Sequence, residues 1–309
     1  MERCDFLPVS AEEMHERGWW WYDALVVGGD AYVDHPSFGT AVISRVLEAE
    51  GLRVAVLAQP DWHDAEAFRA MGRPRLGVFI GAGNLDSMVA HYTAAKRRRS
   101  EDFYSPGKRT GCRPDRAAIV YCNRAREAFG PDMPIILGSL EASLRRFAHY
   151  DYWDDSVRRA ILFDAPADLL VYGMGEAATI EIAHRLKKKQ SVRTMTDIPG
   201  TGYITRDPSV CKFDHITLPS FEDVRDDKRL YAEATRTEYA EHDPIRGRAM
   251  IQPCEGRYLI INPPAMPLDT KELDRVAGLP YTREWHPMYE PLGGCLLYTS
   301  PSPRDYAAS

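Results

Sequence analysis

The sequence predicts an α/β fold: a Rossmann-like parallel sheet with helices on both faces, followed by an irregular Pro-rich linker. Two observations predict it. Short apolar runs that end in glycine alternate with segments of helical periodicity, the pattern of a parallel sheet covered on both sides. That rhythm then stops near residue 190, and proline becomes frequent toward the end of the chain, where it disfavours helix and favours extended chain.

The elements follow in order. Asp23 to Gly28 reads as a first buried strand. Phe38, Val42, Val46 and Ala49 recur at helical spacing, with Gly51 as the stop. Arg53–Leu57 and Leu76–Ile80 are the second and third strands. Residues 115–129 form a helix, Pro134–Gly138 a fourth strand and Asp168–Tyr172 a fifth, which runs into a helix through Lys189. Residues 221–242 are charged and read as one solvated helix, and Tyr258–Asn262 as one more strand. The expected division is a Rossmann-like domain over 1–205, a helix and linker over 206–294, and a tail over 295–309.

Composition bounds the function. The chain has 309 residues, 44% hydrophobic and 27% charged, with a net charge of −6. An acidic balance makes nucleic acid an unlikely partner. No apolar run reaches the ~20 residues of a membrane span, and no signal-peptide core follows Met1, so the expected compartment is the cytoplasm. The six cysteines are scattered, with no CxxC pair, which excludes a disulfide framework, a zinc ribbon and a cysteine-only cluster motif within the chain.

In a parallel sheet, ligands bind at the carboxyl ends of the strands. The candidate ligand rim is therefore Gly29, Asp30, Asp34 and His35 after the first strand, Gly81 and Gly83 after the third, Gly138 after the fourth, and Gly173, Gly175 and Glu176 after the fifth. Each has a structural reading beside the functional one. Residues 34–39 also suit a capped helix start. Gly81 and Gly83 also suit a tight turn. Glu176 also suits the positive end of a helix dipole. Neither GxGxxG nor GxxxxGK[ST] is present, which argues against a self-sufficient nucleotide enzyme. Arg145 and Arg146, with the carboxylates of the segment 149–155, read as a salt-bridge lattice, and Lys96–Arg99 as a solvated face. No catalytic or metal-ligating residue is assigned.

The strings GDAYVDHPSFG (29–39), AQPDW (58–62), AGNLDSMVAHYTAAKRRRSEDFYSPG (82–107), RPDRAAIVYCN (113–123), ILGSLEASLRRFAHYDYWDDSVRRAIL (136–162), LLVYGMGE (169–176) and INPPAMPLDTKELDRVAGLPYTREWHPMYE (261–290) closely resemble the YgiQ family of radical SAM proteins, over roughly residues 5–294. The resemblance implies an intact enzyme in which three cysteines at CxxxCxxC spacing hold a 4Fe-4S cluster and the open iron binds S-adenosylmethionine. That motif is absent here. This chain is then expected to be an amino-terminal fragment whose partner is its own missing radical SAM barrel, inactive by itself and holding no cofactor, with the substrate, small or macromolecular, unknown. The segment 173–176 is similar to one in cobalamin-type domains. The axial Asp-x-His-x-x-Gly pattern is missing, however, since Asp34 and His35 are adjacent, and this counts against bound cobalamin. The tail CLLYTSPSPRDYAAS does not resemble the family and reads as adapter-derived. The alternative from a different class is a free-standing binding or docking module without catalysis. A linker built to pack against a barrel is expected to expose Leu259, Ile260, Ile261 and Trp285.

Overall fold

The structure is a computed structural model that describes residues 5–294; the expected tail over 295–309 lies outside the described residues. The parallel strands are β1 (Ala24–Gly28), β2 (Val54–Ala58), β3 (Gly77–Ile80), β4 (Ile135–Leu137) and β7 (Leu169–Val171). A two-stranded hairpin, β5 (His149–Asp151) and β6 (Ser156–Arg158), stands apart from the main sheet. Strands β8 (Thr201–Thr205), β9 (His215–Thr217), β10 (Ala249–Cys254) and β11 (Arg257–Ile261) complete a nine-stranded sheet of order β2-β1-β3-β4-β7-β8-β11-β10-β9. The first five strands pair in parallel, whereas β7–β8, β8–β11 and β11–β10 are antiparallel.

The helices are α1 (Ala11–Glu16), α2 (Gly39–Ala49), α3 (Glu66–Arg69), α4 (Ser87–His91), α5 (Ala117–Phe129), α6 (Ser139–Leu144), α7 (Glu176–Lys187), α8 (Phe221–Asp226), α9 (Lys228–Ala240) and α10 (Thr270–Ala277). Side chains alternate across each strand. Val26, Phe79, Ile136 and Val171 share a core with α2 and α7, while Val27, Ile80 and Leu137 share the opposite core with α3 and α5. The strands are therefore buried on both faces, which is why they read as continuous apolar runs.

Three expectations are corrected. Residues 221–242 form two helices, because the backbone of Asp227 is extended and its carboxylate caps α9 by accepting from Arg229 N. That region is not simply solvated either, since Phe221, Val224 and Ala234 are buried. Leu259, Ile260 and Ile261 are not exposed: β11 sits between β8 and β10, and all three are fully buried. Trp285 is partly buried against the α2/α7 core. Among the described residues from Asn262 on, the chain adds no strand to the sheet and is irregular apart from α10 and one short helical turn.

That last segment folds back over the loop after β1. Arg283 N donates to Asp34 O at 2.9 Å, His286 N to Tyr32 O at 2.9 Å, and Tyr32 N to the Tyr289 hydroxyl at 2.9 Å. No helix among the described residues is long and apolar enough to cross a membrane.

Candidate functional site

The carboxyl ends of β1, β3, β4 and β7 open onto a cavity of about 320 Å³. Its floor is a row of apolar side chains set by strand register: Val26 is paired with Phe79, and Phe79 with Ile136. Its walls are the amino-terminal turns of α2, with Thr40 and Ile43, and of α7, with Glu176 and Thr179. These two helices pack together, and at their carboxyl ends they are joined by His184 Nε2 and Glu50 Oε2, 2.8 Å apart. The cavity lies at their opposite ends.

The rim is glycine-rich for steric reasons. A Cβ on Gly83, whose φ is +114°, would lie 2.3 Å from Asp30 Oδ1. A Cβ on Gly29 would lie 1.9 Å from the carbonyl oxygen of Ala82. Only glycine lets the loops after β1 and β3 approach this closely. Ser139 takes a left-handed backbone, φ +73°, directly after Gly138. Its hydroxyl accepts from Ala82 N at 3.1 Å, so the loop after β4 is fastened to the loop after β3. A non-glycine residue held in this region costs about 1 to 3 kcal/mol and marks a position fixed by its surroundings.

The candidate rim residues divide into two groups. Gly81, Gly83, Gly138, Gly173, Gly175 and Glu176 line the cavity. Gly29, Asp30, Asp34 and His35 do not. Asp30 is buried against Arg113, 2.7 Å away, which also holds Asp102 at 2.8 Å. One guanidinium thus serves two buried carboxylates, and burial pushes Asp30 up to about 6 despite Arg113. Asp34 is fully buried, bonded through Oδ1 to Arg45 Nε at 3.1 Å, and its Oδ2 accepts from Thr282 N at 2.9 Å. The His35 ring accepts from Ser37 N at 3.1 Å, and burial lowers its pKa. These side chains organise the loop after β1 rather than face the cavity.

The polar groups that do face it are the hydroxyl-bearing Ser37, Thr40, Ser139 and Thr179, and Glu176. Of these, only Glu176 is among the candidate rim residues. The hydroxyls carry no motif; Ser139 was detectable only as the residue after a strand-ending glycine. The carboxylates of 149–155 do enter a salt-bridge lattice, but not with the expected arginines: Arg116 meets Asp151 at 2.9 Å and Asp154 at 2.7 Å, and Arg158 meets Asp154 at 3.0 Å, whereas Arg145 pairs with Asp86 and Arg146 lies 3.0 Å from His242 Nδ1.

The described residues do not suit an iron–sulfur cluster. Cys112, Cys122, Cys211 and Cys254 are free thiols, and no three His, Cys, Asp or Glu side chains among the described residues are placed to hold a metal ion. Nor does His35 stand at the cavity to serve as an axial ligand.

The fold and site define a doubly covered α/β domain with a ligand-sized cavity at the strand ends. The chain belongs to the radical SAM N-terminal family, whose model matches residues 6–294. It is 53% identical over 294 residues to a UPF0313 protein of Clostridium botulinum (strain 657 / Type Ba4), covering 95% of this chain and 46% of that one. It is 52% identical to a UPF0313 protein of Clostridium perfringens (strain SM101 / Type A), covering 95% of this chain and 44% of the relative. The chain therefore spans less than half the length of these curated relatives. Among solved structures it is similar to the radical S-adenosylmethionine methyltransferase TsrM from Kitasatospora setae, determined with cobalamin and a [4Fe-4S] cluster bound. That likeness has 19% identity and a TM-score of 0.35, over 58% of this chain and 26% of the other.

Proposed function

We propose that the chain is the amino-terminal domain of a cytoplasmic radical SAM enzyme of the YgiQ type, and that in the whole protein its strand-end rim faces the half that carries the cluster. In that protein the cluster and S-adenosylmethionine supply the radical, while this domain covers the reaction chamber and shapes one wall of it. Strands β9, β10 and β11 extend the same sheet, so it is the irregular segment 262–294 that leads toward the second half, and 295–309 are not native to the family.

The observation that carries this reading is the position of Gly294, the last residue of the family match. Its carbonyl accepts from Gly107 N at 3.0 Å, in the loop that Asp102 and Arg113 tie to Asp30 at the end of β1. The chain thus reaches Gly294 on the carboxyl rim. Leu140 and Met174, in the turns after β4 and β7, are exposed there, and Leu144, 59% exposed, ends α6 next to Arg145, which pairs with Asp86 in the loop after β3. Apolar side chains grouped at one edge suit a covered surface.

The test uses a full-length UPF0313 relative with cysteine placed at the position matching Leu144, and a control cysteine matching Leu273. Leu273 is exposed on α10, whose Arg275 approaches Glu50 at the far end of α2. The reading expects the first thiol to label at least about tenfold more slowly in the full-length protein than in the 309-residue chain carrying Leu144→Cys, with the control unchanged. Equal labelling of both would overturn it.

A further inference from the structure

The cavity has a charge signature that narrows its ligand. Its lining is apolar at the floor, through Val26, Phe79 and Ile136, and hydroxyl-bearing at the walls. It includes no Lys, Arg or His, and Glu176 is its one charged residue. Glu176 Oε2 is buried and has no hydrogen-bond partner among the described residues. A buried carboxylate oxygen without a donor is costly, and a ligand that supplies one is favoured. Anionic groups are disfavoured for the same reason, because they would meet Glu176 in a site of low dielectric.

Helix amino ends attract anions in general, and neither α2 nor α7 is capped by the side chain of its own N-cap residue, but a fixed negative charge already stands at one of them. Glu176 itself occupies the first turn of α7. At α2, Gly39 N donates to Asn84 Oδ1 at 3.2 Å. A second unsatisfied group lies close by: the hydroxyl of Tyr281, a residue 6% exposed, also lacks a partner among the described residues. The Glu176 charge is among those that act on it, although burial is the main cause that pushes this phenol up to about 12.

We propose that this cavity binds a flat, apolar group bearing a neutral or cationic N–H donor, such as an amide, amidine or amino-substituted heteroaromatic. The donor meets Glu176, and the body lies over the Val26–Phe79–Ile136 row. This ligand class is independent of how the rim meets the rest of the whole protein.

Three probes of one shape test it: benzamidine, benzamide and benzoate, cationic, neutral and anionic. Each is titrated into the 309-residue chain with isotope-labelled isoleucine methyl groups. Ile43, Ile80 and Ile136 line the cavity and report occupancy directly. The proposal expects benzamidine and benzamide to shift these methyls and benzamidine to bind at least about tenfold tighter than benzoate, a gap of about 1.4 kcal/mol. Glu176→Gln removes the preference for the cation and leaves benzamide within about threefold. The same spectra of the variant without probe establish that it is folded. Benzoate binding as tightly as benzamidine, an unchanged order in Glu176→Gln, or no shift at these methyls with any probe at millimolar concentration would each overturn the proposal.

Discussion

Arg45 holds Asp34 in a buried, two-pronged ion pair, with the guanidinium 2% exposed and the carboxylate fully enclosed. The pair joins the interior of α2 to the loop after β1. Through Thr282 N, which donates to the same carboxylate at 2.9 Å, it also fastens the last irregular segment of the chain. Removing one member of such a pair leaves the other charge buried without compensation. Asp34→Ala is expected to cost about 3 to 5 kcal/mol, read from the urea midpoint. Asp34→Ala combined with Arg45→Met should cost less than the sum of the single changes. Additivity of the two would show that the pair is not coupled.

The Asp30–Arg113–Asp102 cluster gives a pH signature. Asp30 rises from 3.8 to about 6 in the folded state, with burial as the largest cause. The folded state then holds a proton that the unfolded state has released, so the contribution of this group to stability is full below 3.8 and falls until the pH passes about 6. Asp30→Asn lacks that dependence. The melting temperature of the variant minus that of the unmodified chain should become more positive between pH 4.5 and pH 7. A difference that is constant with pH would contradict the assignment.

The rim glycines should differ sharply in their tolerance. Gly83→Ala places a methyl group against Asp30 at a positive φ and disturbs the Arg113 pairing. A loss on the order of 3 to 5 kcal/mol is expected, the scale of a broken buried ion pair. Gly39→Ala meets no atom within 4 Å and starts a helix, so it should be neutral or stabilising by up to about 1 kcal/mol. Denaturant unfolding of the two variants checks this, and equal losses would contradict it.

Thiol chemistry separates the described cysteines. Cys122 is fully enclosed and burial pushes its thiol up; Cys254 is also buried and is pushed up to about 12. Cys112 and Cys211 are part-exposed. Under native conditions a maleimide should label Cys112 and Cys211 and spare Cys122 and Cys254. Anaerobic incubation with iron and sulfide should produce no cysteine-ligated cluster absorption from these four. Cluster formation lost on substituting any of them would contradict the placement.

Much of this fold was legible because burial on both faces leaves an unmistakable trace. Ala24–Gly28 and Gly77–Ile80 are apolar throughout and run into glycine, and the periodicity with Gly51 beyond it bounded α2 to within about two residues, whereas the short α1 in the polar lead-in was not legible. Strands β8 and β10 were not legible, since Gly202, Gln252 and Pro253 interrupt their apolar pattern. At the site, glycine after a strand marked six of the cavity residues, including the neighbouring Glu176. It could not show that Asp30 turns inward to Arg113, 83 positions away, or that Asp34, besides meeting Arg45 on the next helix, holds the backbone of Thr282, 248 positions away. Those pairings exist only once the chain is folded.

The most direct test of the central claim is the structure of a full-length UPF0313 relative. The account predicts that its second half covers the carboxyl ends of β1, β3, β4 and β7, and buries the side chains that match Leu140, Leu144 and Met174. A second half seated on the β9–β10 edge or at the amino ends of the strands, with this rim open to solvent, would contradict it.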